Sequence, residues 1–146
     1  MFISKILLSL YSKLSTMNKS QILEDIVKSY LATAEWCEID SDVERENFTT
    51  AAVLDATFDC NAFIERVCSE FTPTEAEAIL TYQGNDVTAL CGHDFWLTRN
   101  GHGAGFFDKE IYNELADNGC NRLTKIAQDF TTVGVYVNDD LSLEFM

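Results

Sequence analysis

Between Asp59 and Phe71 the apolar residues Cys60, Phe63, Ile64, Val67, Cys68 and Phe71 recur at intervals of three and four. Only a helix with one buried face satisfies that repeat. It demands a partner surface, so whatever else the chain builds must cover this stripe. Asp59 stands where a capping residue is expected, and Thr50–Phe58 read as a turn or short helix before it. A second stripe, Ile22, Leu23, Ile26, Val27, Tyr30, Leu31 and Ala34, predicts a helix from Asn18 to Glu35, with Asn18 and Gln21 at capping-box spacing. A third helix opens at Thr72, with Pro73 at its first position and Glu75 three residues after the cap, and runs toward Gly84.

The C-terminal half changes character. Asp94–Arg99 reads as a strand, Asn100-Gly101 as a hairpin turn and Ala104–Asp108 as the returning strand. A helix follows, with Leu123, Ile126, Ala127 and Phe130 facing inward. A second hairpin closes the chain, with Leu141, Leu143 and Phe145 alternating against Ser142 and Glu144. The predicted fold is α+β: N-terminal helices packed on a small antiparallel sheet of two C-terminal β-hairpins with an intervening helix. Residues 17–146 form one domain on this reading, a size at which about two thirds of the unfolded surface can be buried.

Residues 1–16 differ from the rest, carrying Lys5 and Lys13 and no acid. Their apolar run is too short and interrupted to span a bilayer, and no small-residue cleavage site stands out. They read as an extension, disordered or an amphipathic surface helix, with Met17 as an alternative start.

Charge restricts the partners. The chain has 24 acids against 10 Lys and Arg, net −14. Such a surface repels nucleic-acid phosphates and anionic membranes, so direct nucleic-acid binding and stable membrane insertion are disfavoured. A protein partner with a basic surface suits it. The acids concentrate in two places: Glu35 to Glu46, which includes Glu38, Asp40, Asp42 and Glu44, and the pair Asp139 and Asp140. These six residues are the candidate partner-binding set; a solvated loop is the plain alternative for the first segment. Five cysteines, an odd number with no CxxC pair, argue against a secreted disulfide framework and for a reduced cytoplasmic setting. Their spacing offers no zinc site, and no metal or other cofactor is implied.

The densest chemistry lies in GHDFWLTRNGHGAGFFD, Gly92 to Asp108, which holds both histidines and four of the seven glycines. It resembles the signature DFWLTRNGHGAGFWDR of a family of small acidic proteins found in tailed phages, prophages and related mobile elements. In that family a helix with an RLT or KLT element follows, then a terminal YV-DD hairpin; the counterparts are Arg122, Leu123 and Thr124, and Tyr136 to Asp140. The likeness runs from Gly92 to Asp140. Phe107 stands where tryptophan is usual and Lys109 where arginine is usual, each keeping the chemical type. The resemblance implies a phage setting, inside an infected cell, and no particular activity.

Three functions are compatible with these residues. The first is an accessory protein that occupies a basic host or phage protein, for host takeover or against a defence nuclease, with carboxylates standing in for DNA phosphates. The second is a small-ligand or nucleotide module. In it Arg99, Asn100 and His102 grip a phosphate or carboxylate at a glycine-lined tip, and Trp96 and Phe107 stack on a base. The third is an enzyme using His93, Asp94, His102 or Asp108, with or without a metal. In a hairpin, however, Asp94 and His102 stand roughly 20 Å apart, too far for one coordination shell. A purely structural turn, with Asp94 and Asp108 bonding backbone amides or pairing with Arg99 or Lys109, accounts for the same residues.

Overall fold

A computed structural model describes residues 19–84 and 88–146. The N-terminal extension and the Asn18 cap lie outside the described residues. The chain forms α1 (Lys19–Glu38), α2 (Thr50–Glu70), α3 (Pro73–Thr81), α4 (Leu90–Arg99), a 3-10 turn (Phe106–Asp108), α5 (Ile111–Leu115), α6 (Gly119–Gln128), and strands β1 (Val135–Val137) and β2 (Leu143–Phe145). The described residues are mostly helical, with one small two-stranded antiparallel sheet among them.

The expected stripes are buried. In α1 they include Ile22, Ile26, Val27, Tyr30 and Ala34, and in α2 the buried face runs from Ala52 through Ala56 to Cys68. That continuity makes residues 50–70 one helix, so Asp59 is interior to it and not a cap. Thr49 caps it instead, accepting from the Ala52 amide at 3.0 Å. The same hydroxyl donates to the Glu144 carboxylate on β2 at 2.8 Å, tying the helix start to the sheet. The Thr72–Glu75 capping box forms as its spacing predicts.

Asp94–Arg99 is not a strand. It belongs to α4, in which every residue except His93 is buried. A helix covered on all sides shows no 3.6-residue period, and its sequence cannot be told from a buried strand by pattern. Asn100-Gly101 terminates this helix and does not turn a hairpin. Gly101 adopts φ 70°, its amide bonds the Thr98 carbonyl at 3.2 Å, and the His102 amide bonds the Leu97 carbonyl at 3.0 Å. This double bond pattern is the Schellman C-cap, which needs a residue tolerant of the left-handed region. The returning strand is replaced by the 3-10 turn.

The second hairpin forms, with Val135 opposite Phe145 and Val137 opposite Leu143. One continuous core joins all these elements, with α4 at its centre. Phe95 stacks on Phe63 of α2 at 4.5 Å between ring centroids, and Trp96 meets Tyr30 of α1 edge-on at 5.2 Å. Among the described residues no helix is long and apolar enough to cross a membrane. All five cysteines are unpaired thiols.

Candidate functional site

The Gly92–Asp108 segment is divided between core and surface. Arg99 lies inside, 5% exposed. Its Nη1 donates to Tyr30 Oη at 2.9 Å and to Asp59 Oδ2 at 2.8 Å, and its Nε donates to the Thr131 carbonyl at 2.9 Å. Its guanidinium also lies over the Phe95 and Phe130 rings. All three guanidinium nitrogens bond within the fold, Nη2 also to the Thr131 carbonyl, so this buried cation joins α1, α2, α4 and the approach to β1. Burial raises the Tyr30 phenol, with Arg99 opposing. Trp96 is completely buried. Asn100 donates to the Trp96 carbonyl and accepts from the Val133 amide. Of the expected ligand set Phe107 is exposed, Asn100 and His102 are half-buried, and Trp96 and Arg99 are buried. The five residues therefore do not converge on one exposed site.

The acids of the segment have structural partners. Asp94, wholly buried, accepts from Lys109 Nζ at 2.6 Å and from Tyr112 Oη at 2.5 Å. Burial raises its carboxyl, and Lys109 and Tyr112 pull the other way. A cation at position 109 is thus what the buried carboxylate needs, and arginine or lysine supplies it. Asp108 accepts from the Gly105 amide. Among the described residues no three His, Cys, Asp or Glu side chains gather as a metal site.

The two acidic segments, by contrast, come together. After α1 the chain curls around Arg45, whose Nε meets Glu35 at 3.1 Å and whose Nη1 meets the carbonyls of Asp40 and Val43. The loop then runs beside the β1–β2 turn. The Glu46 amide donates to the Leu141 carbonyl at 2.8 Å, and the Leu143 amide to the Asn47 carbonyl at 3.1 Å. Phe48 bridges Leu143 in parallel register. Glu38 at the end of α1, Asp40, Asp42 and Glu44 in the loop after it, and Asp139 and Asp140 in the β1–β2 turn are all exposed. The Arg45 guanidinium is turned onto the loop's own carbonyls. In the turn, Asp140 accepts from the Ser142 amide and hydroxyl, which hold its carboxyl below the usual range. His102 Nε2 approaches Glu38 at 3.8 Å.

A groove lies elsewhere, where α4 crosses α1. An added Cβ at Gly92 would sit 2.4 Å from the Ile26 carbonyl oxygen, so glycine permits the two backbones to touch. The crossing sets His93 against Thr33, with Nδ1 2.7 Å from Oγ1. The groove, about 710 Å³, is lined by Lys28, Ser29, Thr33, Trp36, Thr88 and His93, together with Ala32. Thr33 and Trp36 are absent from the sequence-based candidates. The available signal was Trp36 itself, a tryptophan outside the apolar stripe of α1 and 72% exposed.

Comparison of the chain with protein-family models, with curated proteins and with solved structures finds no match.

Proposed function

We propose that the chain is a small acidic accessory protein that binds a protein partner through the edge built from residues 38–46 and 139–140. The observation that carries this reading is the backbone bond from Glu46 to Leu141, which makes one acidic edge of two acidic segments far apart in sequence. Exposed carboxylates fixed on a folded scaffold meet a basic surface at little ordering cost and raise the encounter rate. The only arginine of the loop engages the loop's own carbonyls and Glu35. Carboxylates presented in this way compete for proteins whose basic clefts take phosphates. The resemblance of residues 92–140 to the phage signature supports a setting in the cytoplasm of an infected cell, with a host or phage protein as the target.

The test uses a polyarginine peptide as the basic probe. Asp40→Asn, Asp42→Asn, Glu44→Gln, Asp139→Asn and Asp140→Asn together are expected to weaken binding far more than five neutralisations spread over Glu65, Glu77, Glu110, Glu114 and Asp117. The difference is expected to shrink as salt rises. Equal losses in the two variants would mean that net charge alone attracts the peptide, and would remove the edge as a site.

A further inference from the structure

We infer that the α1–α4 groove is a binding site for a neutral planar heteroaromatic molecule bearing an N–H donor, of the nucleobase class, stacked on Trp36 and donating to His93 Nε2. The tautomer of His93 follows from proton counting. Thr33 has one hydroxyl hydrogen, and it is given to the Ser29 carbonyl at 2.7 Å. The 2.7 Å contact between Thr33 Oγ1 and His93 Nδ1 must then run from Nδ1–H to the hydroxyl oxygen. In the neutral ring this leaves the lone pair on Nε2, where the ring is an acceptor.

Nε2 makes no hydrogen bond among the described residues. Trp96 Nε1 is the one side-chain polar atom there that is both fully buried and unpartnered, so Nε2 of His93 is in contact with solvent. The Trp36 and His93 rings lie 6.2 Å apart, tilted by 29°, and most of the tryptophan is bare. An exposed indole beside a single fixed acceptor matches the composition of small-molecule sites, in which an apolar face supplies area and few polar groups set orientation. The groove falls within the roughly 300–1,000 Å³ typical of them.

The same features select against an anion. The Nε2 lone pair offers no proton to a phosphate, and among the described residues Lys28, the one Lys or Arg lining the groove, is paired with Glu24 at 3.4 Å. This inference is independent of the acidic edge.

The probe is adenosine, followed by tryptophan emission in the full chain. Its doubly N-methylated analogue keeps the ring and lacks both amino hydrogens. AMP adds a phosphate. Adenosine is expected to quench saturably, and Trp36→Phe to abolish the signal, since the other tryptophan, Trp96, is buried. The methylated analogue is expected to bind roughly tenfold more weakly, the loss of about one hydrogen bond. His93→Phe should impose the same loss on adenosine and none on the analogue. Thr33→Val, which frees the tautomer with little change of shape, should weaken adenosine several-fold and is the variant to use if His93→Phe does not fold. AMP should bind no better than adenosine. Absence of saturable quenching, equal binding of the methylated analogue, or binding of AMP alone would each overturn the inference.

Discussion

Arg99 Nη1 and Asp59 Oδ2 are 2.8 Å apart, the cation almost fully covered and the carboxylate 31% exposed at its side chain. The most conspicuous basic residue of the Gly92–Asp108 segment is therefore a structural cation inside the core. Removing it strands Asp59, the Tyr30 hydroxyl and the Thr131 carbonyl together. Arg99→Met is expected to destabilise the fold by about 2–4 kcal/mol, below the full cost of a wholly buried pair because Asp59 is partly solvated. Arg99→Lys should recover only part, since an ammonium cannot span three acceptors as the planar fork does. Urea unfolding checks both, and a loss within a few tenths of a kcal/mol for Arg99→Met would contradict the assignment.

Lys109 has the corresponding role for Asp94. Lys109→Met leaves a buried carboxylate with the Tyr112 hydroxyl alone and is expected to cost about 3 kcal/mol at neutral pH. Burial already raises the Asp94 carboxyl, and losing Lys109 raises it further. A raised carboxyl contributes stability below its unfolded value and loses it as pH rises through the folded value. The deficit of Lys109→Met should therefore narrow toward about pH 4. Asp94→Asn in the same chain should recover part of it at neutral pH. Melting temperatures across pH give the answer.

His93 sets the pH response between the carboxylate range and neutrality. Burial holds its imidazole below the ordinary value; Lys109 acts in the same sense and Asp94 opposes. Lys28 is the charged group that lines the groove from α1. A depressed imidazole favours the neutral folded form, so stability is full above the unfolded value and falls as pH drops through it. Between about pH 7.5 and about pH 5.5 the wild type should lose more melting temperature than His93→Gln. Parallel curves would contradict this.

Gly92 fixes the distance between α1 and α4. Gly92→Ala drives a methyl onto the Ile26 carbonyl, whose backbone cannot rotate away. The expected cost is about 1–3 kcal/mol. The substitution should also move His93 off Thr33, seen as a change in the ring's NMR signals.

The legible parts of this fold are those in which one face is wet. The α2 stripe follows from such a contrast and the Thr72 capping box from local spacing, while the closing hairpin is shorter than its pattern, with Leu141 at φ 73° between the strands. The α4 helix has no wet face apart from His93, so Asp94–Arg99 reads as a strand, and Asn100-Gly101 serves a Schellman cap as well as a hairpin. The site divides in the same way. Acid clusters are visible in sequence as composition, but the join between Glu46 and Leu141 depends on tertiary pairing. Thr33 and His93 meet only because α1 and α4 cross, which no local pattern encodes.

The most direct test of the acidic edge is a backbone amide NMR titration of the intact chain with a polyarginine peptide. Residues 40–46 and 138–142 are expected to shift together, along one saturation curve, while the amides around Glu65, Glu110 and Glu114 stay still. Shifts spread over all exposed acids, or confined to one of the two segments, would contradict a single joined edge.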